Sequence, residues 1–208
     1  MNKGTLFVVS APSGAGKTSL VHGLIAGLDN ISVSISHTTR GQRPGEVDGK
    51  DYFFVDQAEF KGLLNNGEFL EYAKVFDHYY GTAKSTVDRT LDQGRDLILE
   101  IDWQGAMQIR QKIIDVTSIF ILPPSELALV QRLRDRGQDD ENIITRRMHD
   151  ARAEMSHYSE YDYLIVNDEF DTALAELKSV VMAKRLATKN RESALVDLIN
   201  ELVPPLKC

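Results

Sequence analysis

The stretch Thr5–Leu20, TLFVVSAPSGAGKTSL, constrains the fold more than any other part of this chain. Leu6 to Ser10 is a short apolar run of the kind a buried parallel strand shows. A glycine-rich turn follows at once, and Gly16-Lys17-Thr18 opens a helical pattern. Strand, glycine loop, Lys-Thr and helix, in that order, is the setting of a phosphate-binding P-loop. The residue types follow from what a phosphate requires. Gly14 and Gly16 lack a Cβ, so backbone N–H groups can curl around phosphate oxygens. Lys17 adds a mobile positive charge near the β- and γ-phosphates, and Thr18 offers a hydroxyl to Mg²⁺. The helix aims its positive dipole end at the same anion. The first glycine of the general pattern G-x-x-x-x-G-K-[ST] is here Ala11, which the turn accommodates if its φ is negative. An ordinary glycine-rich βα turn is the bland alternative, and Lys-Thr in register after a strand argues against it.

Three further runs, Leu97–Asp102, Ser118–Leu122 and Tyr163–Val166, read as buried strands, apolar on both faces. Ile31–Ser36 alternates strictly and is expected to add an outer strand. Helical patterns lie between them, at Lys17–Ala26, Ser85–Gln93, Gln104–Ile113, Glu126–Arg136, Asn142–Ser156 and Thr172–Thr188, with another at Ala194–Leu202. This alternation predicts an α/β fold with a five-stranded parallel sheet and helices on both faces. Ser125 is placed to cap the helix after Pro123-Pro124, and Gly94 and Gly137 sit where helix C-caps are expected. Two stretches interrupt the pattern. Residues 37–83 are polar and rich in Gly and Tyr, with short strands at Tyr52–Val55 and Phe69–Val75 around a helix at Glu59–Leu64. Residues 132–155 are helical and hold six arginines without a lysine. Insertions at the carboxyl edge of a parallel sheet are where a ligand is expected.

The formal charge of −7 over 208 residues argues against a protein built to hold a nucleic-acid backbone. It leaves room for small phosphorylated ligands, which need only local positive charge. No apolar run approaches the roughly 20 residues that span a bilayer, so no membrane partner is expected. MNKGTLFVVS runs straight into the first strand, so no secretory signal is expected. The one cysteine, Cys208, allows no intramolecular disulfide and cannot be a prenylation site, which fits a reducing cytoplasm. The five histidines, His22, His37, His78, His149 and His157, have no metal-ligand spacing and read as structural or surface residues. Trp103 reads as packing.

Arg40 and Arg43 lie three residues apart on an irregular loop, with Tyr52 nearby in sequence. Two guanidinium forks suit a dianionic phosphate, and a tyrosine hydroxyl can donate to it; a solvated turn with surface arginines is the equal alternative. Glu100 and Asp102 end the LILEID strand at its carboxyl edge, where an acid of a P-loop enzyme completes a Mg²⁺ shell, often through water.

The loop HTTRGQRPGEVDGKDYFFV, the run Tyr79-Tyr80-Gly81-Thr82, the strand LILEIDWQG and the segment IFILPPS together resemble the guanylate kinases, the bacterial members in particular. The resemblance extends from about Gly4 to Arg185. It implies a nucleoside monophosphate kinase architecture: a guanylate kinase-like domain over 4–184, with core 4–36, 84–131 and 156–184, a small α+β GMP-binding insertion at 37–83, a helical lid at 132–155, and a tail at 185–208. It implies transfer of the ATP γ-phosphoryl group to GMP or dGMP with Mg²⁺. By that resemblance ATP is held by Ala11, Pro12, Ser13, Gly14, Ala15, Gly16, Lys17 and Thr18, with Arg132, Arg136 and Asn167. Arg40, Arg43, Tyr52 and Tyr80 match the positions that grip the GMP phosphate. Ser36, Glu71 and Thr82 match those that read guanine, with Gly81 and Asp102 in the same site. Lys17, Arg40, Arg43, Arg136 and Arg147 would carry the catalytic charge, and Thr18 with Glu100 or Asp102 would serve the metal. The chemistry supports Glu71, because a carboxylate accepts from guanine N1–H and the 2-amino group, a donor pair adenine lacks. Arg134 and Arg152 are expected to pair on the helix surface with Asp135, Asp139, Asp140 or Asp150.

Three alternatives differ in visible ways. Asp102-Trp103-Gln104-Gly105 satisfies the D-x-x-G of a GTPase switch, but no N-K-x-D is present and Ala106 stands where a switch carries glutamine. A non-catalytic guanylate kinase-like binding module would have lost Lys17, Thr18 or the lid arginines. Another nucleoside monophosphate kinase would have little use for Glu71 beside Ser36. The tail is amphipathic through Leu195, Leu198, Ile199 and Leu202, which leaves packing on the core or a homo-oligomer open.

Overall fold

A computed structural model describes residues 3–75, 77–135 and 141–203. The elements begin with β1 (Leu6–Ser10), α1 (Lys17–Gly27), β2 (Ile31–Val33), β3 (His37–Thr38) and β4 (Phe53–Phe54). Next come α2 (Gln57–Asn65), β5 (Phe69–Val75), β6 (His78–Ala83), α3 (Lys84–Asp92), β7 (Asp96–Glu100) and α4 (Trp103–Lys112). The chain continues through β8 (Val116–Leu122), α5 (Glu126–Asp135), α6 (Glu141–Met155), β9 (Tyr163–Val166) and α7 (Phe170–Leu186), then two short tail helices, α8 (Thr188–Arg191) and α9 (Val196–Leu202).

The first strand is the middle of a five-stranded parallel sheet in the order β2-β7-β1-β8-β9. Because successive side chains of a strand point to opposite faces, β1 serves two cores at once. Phe7 and Val9 pack with Leu20, Val21 and Leu24 of α1 and Leu177 and Val181 of α7. Leu6 and Val8 pack on the other face with Val87 of α3 and Ala106 and Ile109 of α4. The expected parallel sheet is thereby present, with most element ends within one or two residues of the sequence reading.

Two strand expectations need correction. Tyr163–Val166 is a strand but not a buried one: it forms the free edge of the sheet, and Tyr163, Leu164 and Val166 are each more than 40% exposed. Ile31–Ser36 is a strand only to Val33. Ser34 donates one more bond to Ile98 O and is buried, and the chain then leaves to join a second sheet through His37. Strict alternation therefore fails at Ile35.

That second sheet has the order β4-β3-β6-β5 and carries α2. β3 and β6 are too short or too polar to announce themselves in sequence. A third apolar cluster joins α5 to α6 through Leu129, Leu133, Ile144, Met148 and Ala151. Arg152 grips Glu126 and Arg134 grips Glu141 with paired hydrogen bonds, so both arginines do pair on the surface, with glutamates instead of the expected aspartates. Ser125 Oγ accepts from Ala128 N, and Gly94 takes a φ of 73° after α3, both as expected. Gly137, Arg136 and Cys208 lie outside the described residues. Among the described residues no helix is long and apolar enough to cross a membrane. The apolar residues Leu198, Ile199 and Leu202 of the tail remain exposed.

Candidate active site

The loop between β1 and α1 opens onto a cleft of about 470 Å³ that also reaches the second sheet. Gly14 and Gly16 adopt φ of 96° and 92°, a left-handed conformation that a side chain would strain. Space forbids side chains there too. A Cβ on Gly14 would meet Leu129 of α5 at 2.9 Å, and one on Gly16 would meet Asn167 Nδ2 at 2.3 Å. Ala11 lies outside the positive-φ region, so the departure from the general motif carries no backbone strain. Ala11, Pro12, Ser13, Gly14, Gly16, Lys17 and Thr18 all line the cleft. Ala15 is fully buried behind it, and its carbonyl accepts from Asn167 Nδ2 at 2.7 Å.

Thr18 Oγ1 donates to Glu100 Oε2 at 3.1 Å, so the acid nearest the P-loop hydroxyl is the last residue of β7. Asp102, two residues on, also lines the cleft and in addition begins the next helix. Its Oδ1 accepts from Gly105 N at 2.9 Å and caps α4, while Oδ2 accepts from Gln104 Nε2 at 3.0 Å. A hydroxyl and a carboxylate at one corner are hard oxygen donors that suit Mg²⁺, an ion that takes its remaining ligands from phosphates and water.

Arg40, Arg43, Tyr52, Tyr80 and Ser36 line the other half of the cleft. Arg40 lies over the Tyr52 ring at 5.4 Å and its NH2 pairs with Glu46 Oε1 at 2.6 Å. The other oxygen of Glu46 accepts from Arg43 N at 2.8 Å, so one acid ties both arginine segments together. That hydrogen bond from Arg40 holds the Glu46 carboxyl below its usual range. Deeper in, Glu71 is 3% exposed and accepts from Thr82 Oγ1 at 2.5 Å. Burial pushes its carboxyl up to about 7, against the Thr82 bond, with the charge of Asp102 adding to the rise. Gly105 makes this possible, since a Cβ there would come within 2.5 Å of Glu71 Oε2. Gly81 pairs with Tyr72 and lies under the Phe69 ring.

A phosphate cradle and a buried acid that can pair with two adjacent donors thus face each other across one cleft. A sequence model of the guanylate kinase family matches residues 3–184. The chain belongs to the guanylate kinase family. It is 59% identical over 203 residues to a guanylate kinase of Methylococcus capsulatus, covering 98% of this chain and all of that one. The guanylate kinase of Escherichia coli K12 is 54% identical over 205 residues, 98% of this chain and 99% of its own. A crystal structure of guanylate kinase from Anaplasma phagocytophilum superposes with a TM-score of 0.80 at 34% identity, covering 99% of this chain and 98% of that one.

Beyond the P-loop itself, the described guanylate kinase positions expected on the ATP side lie outside the lining of the cleft. Asn167 is buried, and besides holding Ala15 O it accepts from Arg132 NH2 through its carbonyl at 2.9 Å. It braces the P-loop from behind. Arg132 and Arg147 are half-buried on α5 and α6 and do not line the cleft. The D-x-x-G tetrapeptide has a structural explanation in the Asp102 cap and in the space Gly105 leaves for Glu71.

One residue had no signal in the sequence. Glu154 of α6 lines the cleft, facing the charge of Lys17 and the backbone N–H of Ser13. Burial pushes its carboxyl up to about 7, Asp102 and Asp150 add to this, and Lys17 opposes it. A negative carboxylate here competes with phosphate for the same lysine. Replacing Glu154 by glutamine is expected to tighten binding of ADP or inorganic tripolyphosphate about fivefold, the scale of one partly solvated ion pair. Isothermal titration calorimetry checks this, and unchanged affinity would remove the competition.

Proposed function

We propose that this chain transfers the γ-phosphoryl group of ATP to GMP or dGMP, giving ADP and GDP, in cytoplasmic purine nucleotide metabolism and GMP recycling. The observation that carries the reading is the shared cleft, with the Lys17 cradle at one end and the Glu71–Thr82 pair at the other. In this reading Glu71 accepts from guanine N1–H and the 2-amino group, and Ser36 and Thr82 complete the base pocket. Arg40, Arg43, Tyr52 and Tyr80 hold the acceptor phosphate, with Arg40 exchanging Glu46 for it.

The acceptor oxygen belongs to a phosphate that is already ionised, so no strong general base is needed. A bond forms from that oxygen to the γ-phosphorus, the bond to the β–γ bridging oxygen breaks, and the leaving charge rests on the β-phosphate of ADP. Lys17, Arg40 and Arg43 align the reactants and balance this charge, with Arg136 and Arg147 proposed to join from the lid. Mg²⁺, beside Thr18 and Glu100, would supply further charge neutralisation at the phosphates. Closure of 37–83 and 132–155 over the cleft would keep water from intercepting the phosphoryl group.

The test is a coupled ADP-release assay with Mg-ATP and GMP, dGMP, AMP, UMP or CMP in turn. Turnover confined to GMP and dGMP is expected. Comparable turnover of AMP, or ADP release that ignores the acceptor, would overturn the reading.

A further inference from the structure

The strand that carries Glu71 is an edge strand, paired on one side only, with β6. Its other edge is met by side chains of one helix. Gln108 Oε1 accepts from Tyr72 N at 3.2 Å, and Gln108 Nε2 donates to Tyr72 O at 2.6 Å. The pair of bonds is the one a neighbouring strand would make, supplied by an amide. One turn earlier Gln104 Nε2 reaches Lys74 O at 3.5 Å, and one turn later Lys112 Nζ donates to Leu70 O.

The three rungs have a geometric basis. Helix positions four apart rise about 6 Å, and strand positions two apart rise about 6.7 Å, so 104, 108 and 112 keep step with 74, 72 and 70. The last rung falls at the irregularity in β5–β6 pairing between Phe69 and Glu71, where Leu70 is the extra residue. Bulges of this kind re-aim a side chain, and here the neighbouring side chain is Glu71. The helix is itself anchored in the main core by Ala106 and Ile109, both fully buried. Its Gly105 lies over the Glu71 carboxylate.

We infer that Gln108, with Gln104 and Lys112, is a positioning device for guanine selection, setting the placement of Glu71 relative to the main sheet through the backbone of β5. Gln108 touches no substrate in this scheme and acts through Tyr72 and Glu71. The inference rests on the proposed guanine-reading role of Glu71.

The test compares Gln108→Met, which keeps side-chain volume and loses both strand-like bonds, with Gln108→Glu, which keeps the acceptor for Tyr72 N. Steady-state kinetics are run with GMP and with IMP, which lacks the 2-amino group. For Gln108→Met, KM for GMP is expected to rise about tenfold, the equivalent of two net hydrogen bonds spread over a flexible joint. KM for ATP and kcat at saturation should stay within about twofold, and the preference for GMP over IMP should fall about fivefold. Gln108→Glu keeps one bond but sets an acceptor-only carboxylate against Tyr72 O, so its KM for GMP is expected to rise at least as far, and it carries the test alone if the methionine variant melts below the assay temperature. KM for GMP within twofold of the unaltered enzyme in both variants would overturn the inference, as would parallel rises in KM for GMP and ATP. Glu71→Gln is assayed beside them. If it leaves the GMP-over-IMP preference intact, the guanine-reading role fails; if it abolishes that preference while Gln108→Met does not lower it, only the positioning role fails.

Discussion

Lys17→Met is expected to retain the fold and lose phosphoryl transfer by about two to three orders of magnitude, the scale of deleting one fixed contact to developing charge. Lys17 is the first residue of α1 and lines the cleft between the glycines and Thr18. Methionine preserves the stem and removes only the ammonium. The strand, the cradle of N–H groups and the helix dipole all remain, so nucleotide binding should weaken far less than turnover. That split is the signature of charge that acts mainly on the transferring phosphoryl group. A coupled assay alongside a thermal melt by circular dichroism measures both, and near-normal turnover in a folded variant would remove the P-loop role.

Glu71→Gln is expected to raise KM for GMP by about a hundredfold while KM for ATP changes little. A glutamine presents one acceptor and one donor where guanine offers two donors, so a buried N–H is left facing another. If affinities for both nucleotides fell together, Glu71 would be structural. The same carboxyl predicts a pH dependence. Burial raises it to about 7, and only the ionised form accepts from both guanine donors. GMP affinity should therefore fall about tenfold per unit as pH drops below 7 and flatten above it, and Glu71→Gln should abolish this slope. The effect on stability has the opposite sense. The folded chain holds this proton more tightly than an unfolded carboxyl of 4.5, so the group's contribution is full below about 4.5 and is lost as pH rises through 7.

Much of the fold and of the site is legible in the sequence alone. The P-loop was readable because its geometry is local: two glycines with positive φ, a lysine and a threonine, all within a few residues of the strand they follow. Four apolar runs and the alternating stretch Ile31–Ser36 located the main sheet. The guanine pocket was legible mainly through the family's ordered blocks, since Glu71 alone reads as a surface acid on a strand.

The rest depended on contacts between residues far apart in the chain. Glu154 sits on a helix among ordinary acids, and only the fold lays it against Ser13 and Lys17. Asn167 reads in the sequence only as one of the ATP-side residues, and the fold adds that its amide donates to a carbonyl 152 residues away. Glu100 and Asp102 are alike on paper; the start of α4 takes both oxygens of Asp102 and leaves Glu100 beside Thr18.

The sequence by itself determined the alternation of strands and helices in the main sheet, the phosphate cradle and the kinds of charge available, because these follow from backbone preference and short-range periodicity. Only the tertiary structure decided which acid is buried, which strand is an edge and which helix face grips β5. Desolvation and strand pairing are properties of neighbours in space, and no local pattern encodes them.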